Sequence, residues 1–127
     1  MKKILIVDDD VDIVDLVENR LRKNNYDVIF SNDGDNGYKK AIEAQPDLII
    51  MDVMMPNMHG GEAVKLLKAN ESTKNIPVLF FTAMNAYLPK GSAALDQINV
   101  NGQLYPAITK PFDPNKLLAA IKTLLGE

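Results

Sequence analysis

Asp8 and Asp9 follow the apolar run Ile4-Leu5-Ile6-Val7. Asp52 follows Leu48-Ile49-Ile50-Met51, and Lys110 stands between the run 104–109 and Pro111-Phe112. Each of these charged residues falls where a buried strand should end. In an open parallel sheet the strand carboxyl ends share one edge, and ligands bind there. Carboxylates gathered on that edge repel one another: two unit charges about 4 Å apart cost about 4 kcal/mol at an effective dielectric near 20. The arrangement therefore points to a bound cation, or to a reaction that uses the charge.

The elements that must position these residues follow from hydrophobic spacing. A strand is predicted over 4–7, then a helix over 11–24 with Val14, Val17 and Leu21 on one face. A short strand at 28–30 precedes a helix that Asp33 caps and Pro46 ends. The run 48–51 is continuous in apolarity, the pattern of a strand buried on both faces. A loop over 54–60, a helix over 61–69 and a strand over 77–81 come next. The strand at 104–109 carries Pro106, which argues for a sheet edge. Asp113-Pro114 supplies a helix cap and first-turn proline. Beyond it Leu117, Leu118, Ile121, Leu124 and Leu125 form an apolar stripe. Strands alternating with helices predict an α/β domain around a five-stranded parallel sheet with helices on both faces.

Bulk properties bound the rest. The chain has 127 residues, 46% of them hydrophobic, which suits one domain spanning 1–127 with a proper core. A net charge of -3 without a Lys/Arg cluster gives no footprint for direct nucleic-acid binding. There is no cysteine, which excludes thiolate metal sites and fits a reducing, cytoplasmic setting. Met1-Lys2-Lys3 and the apolar run behind it are too short for a signal peptide. No stretch is long enough for a membrane span.

Four motifs, in order and each at a strand end, resemble the receiver domain of two-component response regulators. They are Val7-Asp8-Asp9-Asp10, Asp52-Val53-Met54-Met55-Pro56, Phe81-Thr82-Ala83 and Lys110-Pro111-Phe112. The resemblance covers essentially the whole chain and implies a flavodoxin-like strand order 2-1-3-4-5. It implies that Asp52 is the phosphoacceptor and that a sensor histidine kinase or phosphotransfer protein is the donor. A downstream protein target or a fused output domain would read the result. A carboxylate can attack a phosphoryl group to give an acyl phosphate, and magnesium takes oxygen ligands while keeping several waters. Asp9 and Asp52 are then expected as magnesium ligands, Asp8 as a direct ligand or the holder of a water, and the Met54 carbonyl as the last protein ligand. Lys110 and Thr82 are expected to engage phosphoryl oxygens, with a cis Lys110-Pro111 bond aiming the lysine. The expected output is a shape change at the strand 4, helix 4 and strand 5 face. Such a protein is no enzyme beyond its own phosphotransfer and autodephosphorylation.

Blander readings exist for each residue. Asp8-Asp9-Asp10 alone reads as a solvated loop with a helix cap, and Asp10 is expected to be that cap or a solvated neighbour. A calcium loop fails because Ile13 occupies the required glycine position. Lys110 alone reads as a surface lysine and Thr82 alone as an ordinary strand-end threonine. His59 is expected to be exposed and inert, and Met51 and Met55 to be soft core packing. Among rival functions, a haloacid-dehalogenase-type phosphatase needs its Asp-x-Asp-x-Thr/Val motif two residues earlier than Asp10-Val11-Asp12-Ile13-Val14. A flavodoxin-like flavin site needs a Ser/Thr/Gly-rich phosphate loop where three aspartates stand. A pseudo-receiver docking module keeps the fold without the chemistry.

The sequence departs from the resemblance in two places. Ala107 stands where an aromatic residue is usual, and the segment 83–103 is longer than usual, with turn signals at Pro89-Lys90-Gly91 and Asn101-Gly102. Within it residues 92–98 look helical, so a fourth helix that is short, displaced or preceded by a loop is expected. Tyr105 shares a strand face with Ala107. It is read either as a substitute for the missing aromatic or as packing beneath the added segment.

Overall fold

The computed structural model describes residues 1–53, 59–82, 96–109 and 113–127, without the side chains of Thr82, Asp96 and Thr109. The elements run β1 (Lys3–Val7), α1 (Val11–Lys23), β2 (Asp27–Ser31), α2 (Gly34–Ala44), β3 (Leu48–Asp52), α3 (Gly60–Ala69), β4 (Val78–Thr82), β5 (Asp96–Val100), β6 (Gln103–Thr109) and α4 (Pro114–Leu125). They build one six-stranded sheet in the order β2-β1-β3-β4-β6-β5. The first five strands of that order are parallel, and β5 pairs antiparallel with β6.

Alternation along the strands makes two cores. Leu5, Val7, Ile49, Met51, Val78, Phe80, Tyr105 and Ala107 face one side, where α2 and α3 add Ala41, Ala63, Val64 and Leu67. Ile4, Ile6, Leu48, Ile50, Leu79, Phe81 and Ile108 face the other, against Val14, Val17 and Leu21 of α1 and Leu117, Ala120 and Ile121 of α4. Full burial of each Val, Leu, Ile, Phe or Met among them contributes about 1.5–3 kcal/mol. This is why β1, β3 and β4 read as unbroken apolar runs.

The helix ends follow local chemistry. The Asp10 carboxylate accepts from the Asp12 and Ile13 amides at 3.0 and 3.3 Å, and so caps α1. Asp33 caps α2 by accepting from the Asn36 amide at 2.8 Å, and Asp113 caps α4 ahead of Pro114. Gln45 and Gly126 close α2 and α4 in left-handed conformations.

Three expectations are corrected. The sheet has a sixth strand, so the expected fifth strand is β6, flanked on its outer side by β5. Residues 96–98, expected in a helix, are strand, while 92–95 lie outside the described residues. The reason is a two-residue hairpin: Asn101 and Gly102 have φ of 56° and 82°. Such a pair makes the turn whose twist suits two antiparallel strands. Pro106 is consequently not on an edge strand. Its partner across the hairpin is Gln97. Counting from the turn, alternation makes this a pair that exchanges no backbone hydrogen bonds. On the other side, the ladder to β4 begins one residue later, at Phe80 and Ala107. The missing N–H of the proline thus falls where neither ladder needs it.

Candidate functional site

Register decides which charged residues meet. Val7 of β1 lies beside Met51 of β3, so Asp8 and Asp52, one residue on, are neighbours at the carboxyl edge. Asp52 lies beside Phe81, which puts Thr82 one step beyond on β4, and Thr82 pairs with Thr109 at the end of β6. Lys110 follows directly in the chain. Lys110, Met54 and the Lys110-Pro111 bond lie outside the described residues, as does the Thr82 side chain.

Carboxylate oxygens of Asp8, Asp9 and Asp52 all lie within 4.8 Å of one another. Asp8 and Asp52 are buried, 2% and 6% exposed, while Asp9 is open to solvent. The neighbouring aspartates have separate tasks. The Asp8 amide extends the β1–β2 ladder by donating to the Ser31 carbonyl at 3.1 Å. One Asp8 carboxylate oxygen accepts from the Asp10 amide at 2.9 Å, which fixes the turn into α1. Asp10, the capping residue, takes no place in the cluster, as expected.

Hard oxygen donors, two of them buried, with one face open to water, are a donor set that suits magnesium: it binds through one or two carboxylates and keeps its remaining positions for water. The cluster therefore fits the cation that the sequence implied.

Two residues that the sequence left without a role shape the site. Gly60, the first residue of α3, sits against the end of β3. A Cβ there would lie 2.3 Å from the Asp52 carbonyl oxygen, so only glycine allows this approach. Its amide donates to the Val53 carbonyl at 2.9 Å. His59 is exposed as expected but not idle: its Nδ1 accepts from the Gly61 amide at 3.0 Å and caps α3. A histidine is an uncommon cap, so composition gave no signal for it.

Ala107 is fully buried, and Tyr105, 7% exposed, points into the same core. The Tyr105 ring meets Phe80 edge-on with centroids 5.5 Å apart. Burial pushes the Tyr105 phenol above its ordinary pKa. Packing within the hairpin's inner face is thus what the structure shows for Tyr105.

Comparison with known proteins agrees with this geometry. The chain is 38% identical over 125 residues to the DNA-binding dual master transcriptional regulator RpaA of Synechocystis sp., covering 98% of this chain and 49% of RpaA. It is 37% identical over 124 residues to the alkaline phosphatase synthesis transcriptional regulatory protein PhoP of Bacillus subtilis, covering 98% of this chain and 48% of PhoP. The chain thus spans about half the length of these curated relatives. Chemotaxis protein CheY4 of Vibrio cholerae superposes with a TM-score of 0.79 at 31% identity over 98% of both chains. The receiver domain of sensor histidine kinase PA1611 from Pseudomonas aeruginosa, solved with a magnesium ion coordinated in its active-site cleft, superposes with a TM-score of 0.83 at 24% identity, covering 99% of this chain and 98% of that one. The family model of the response regulator receiver domain matches residues 4–122. The chain belongs to the response regulator receiver domain family.

Proposed function

We propose that this chain is a phosphorylation switch in which Asp52 accepts a phosphoryl group from a sensor histidine kinase or a phosphotransfer protein. The observation that carries the reading is the meeting of the Asp8, Asp9 and Asp52 carboxylates at the carboxyl edge of the sheet. An Asp52 carboxylate oxygen attacks the phosphorus of a phosphohistidine. The new P–O bond forms as the P–N bond breaks, and the imidazole leaves with the electron pair. Burial of Asp52 on three packed strands restricts its rotamers, which holds the attacking oxygen in place.

Asp9 and Asp52 serve as magnesium ligands, Asp8 directly or through a water, with the Met54 carbonyl completing the set. Bound magnesium supplies positive charge that offsets the carboxylates and the oxygens of the transferring group. Thr82 and Lys110, at the ends of β4 and β6, contribute a hydroxyl and an ammonium to the phosphoryl oxygens. A hydrogen bond to a charged group is worth about 1.5–3 kcal/mol, enough to draw the end of β4 toward Asp52. The output is a change at the β4, β5 and β6 end of the sheet, read by a downstream protein or a fused output domain. The domain spans 1–127 and acts in the cytoplasm, turning over no phosphoryl group but its own.

Acetyl phosphate with magnesium is expected to add one phosphoryl group to the chain, and Asp52→Asn to abolish the addition, because an amide cannot form the acyl phosphate. Intact-mass measurement reads both. Labelling of Asp52→Asn at the wild-type level would exclude Asp52.

A further inference from the structure

The β5–β6 hairpin is bonded to the helix that touches the phosphoacceptor. At the hairpin tip the Asn101 side-chain amide donates to the Gly61 carbonyl at 2.8 Å. A backbone carbonyl has two lone pairs, so this bond can add to the helix ladder without competing with it. The tip is itself held, since the Asn99 side-chain oxygen accepts from the Gly102 amide at 3.1 Å. Gly61 has little room: a Cβ there would lie 3.1 Å from Val100 Cγ1 and 3.2 Å from His59 Nδ1. The preceding residue, Gly60, is the one packed against the Asp52 carbonyl. The Val53 amide in turn donates to the Phe81 carbonyl at 3.1 Å, next to Thr82. Contact therefore runs unbroken from the hairpin tip, through two glycines, to the backbone of Asp52.

The two ends of this path differ in freedom. Gly60 and Asp52 have no slack. Beside the hairpin end lies a cavity of about 180 Å³, lined among others by Val53, His59, Gly61, Ile98 and Val100. A shift of the α3 start relative to β3 meets backbone, whereas a shift of the hairpin relative to α3 has space to enter.

We propose that Asn101 is a positioning residue for Asp52, and that its bond to Gly61 links the hairpin to the phosphoryl state of that carboxylate. The proposal rests on Asp52 being the phosphoacceptor. It gives the chain a route from site to surface that needs no aromatic residue at position 107. Linkage is reciprocal: if loading Asp52 changes the hairpin, releasing the hairpin changes the loading of Asp52.

Two variants test this, because both tolerate the left-handed backbone at Asn101. Asn101→Asp replaces the donor with an acceptor facing a carbonyl, and Asn101→Gly removes the side chain. Leu104→Ser, at an exposed position of the same hairpin, is the control. Each protein is loaded at Asp52 with beryllium trifluoride and magnesium. Hydrogen exchange is followed over 96–109, and labelling by acetyl phosphate is timed by mass. In the wild type and Leu104→Ser, loading is expected to change hairpin protection. In both Asn101 variants that response is expected to be lost, and the labelling rate to shift roughly two- to tenfold, the range set by one net hydrogen bond. Normal labelling with an unaltered hairpin response in the Asn101 variants would overturn the linkage alone. Failure to label Asp52 in every protein would overturn the phosphoacceptor reading, and the linkage with it.

Discussion

The acidic edge and the hairpin edge of this sheet are built on different rules. At the ends of β1 and β3 the strands are buried on both faces, and the polar residues appear only where the strands stop. Position there is set by parallel register: Val7 beside Met51 makes Asp8 a neighbour of Asp52. In the hairpin, β5 buries Ile98 and Val100 on one face and exposes Gln97 and Asn99 on the other. Its outer strand is placed by a turn of two residues, by a ladder to β6 alone and by the Asn101 side-chain bond to α3. The first region is over-determined by core packing. The second ends in a strand paired on one side only, and a region of that kind can change state at smaller cost.

The sharpest way to break this contrast is a pair of truncations. Ile50→Ala, between two packed helices and three strands, is expected in the upper half of the roughly 2–5 kcal/mol range for such changes. Ile98→Ala, in the outermost strand, is expected near its lower end, because the hairpin can settle into the space. Denaturant titration reads both, and equal losses would put the hairpin on the same footing as the central sheet.

The acidic edge also stores repulsion that the hairpin lacks. Magnesium is expected to raise the melting temperature, with a gain of about 2.7 kcal/mol at a hundredfold excess over Kd. Asp9→Asn is expected to lose most of that gain, and Asn99→Asp to keep it. Equal stabilisation of Asp9→Asn and wild type would remove Asp9 from the ligands.

Two glycines separate steric from conformational constraint. Gly60→Ala presses a methyl group on the Asp52 carbonyl and is expected to cost about 1–3 kcal/mol, with slower phosphoryl labelling. Gly102→Ala meets nothing within 4 Å. It is expected to cost only the left-handed backbone, about 1–2 kcal/mol, with labelling changed less than in Gly60→Ala. Thermal melts beside labelling time courses check both, and the reverse ordering of labelling rates would sink the distinction.

The smallest effect concerns alkaline pH. The folded-state pKa of Tyr105 is raised by burial. The stability held by its neutral phenol is therefore fully present below the ordinary phenol range, near 10. It is lost as pH rises through the raised folded value. Tyr105→Phe is expected to flatten that alkaline decline. An unchanged pH profile would show that the hairpin's inner face does not hold the phenol in place.

Much of the acidic site was legible in the chain because strand ends, caps and apolar runs are local signals. Asp10, Asp33 and Asp113 declare helix starts, and the runs before Asp8, Asp9 and Asp52 declare where strands stop. The hairpin was misread although its signals were present. Asn101-Gly102 marks a tight turn, and residues 97–100 alternate polar and apolar on one side of it. A four-residue alternation is too short to exclude a helical pattern, and Ser92-Ala93-Ala94 before it favoured a helix. Pro106 suggested an edge for the same reason: the sequence shows that an N–H is missing, but not which ladder would have needed it.

The sequence by itself determined the family, the parallel core and the carboxylates that could share a cation, because each rests on residue type at a strand or helix end. Only the tertiary structure decided what touches those residues. The approach of Gly60 to the Asp52 carbonyl and the bond from Asn101 to Gly61 join residues of separate elements. Such contacts depend on the angle and depth at which α3 meets the sheet, which no local pattern of residues encodes.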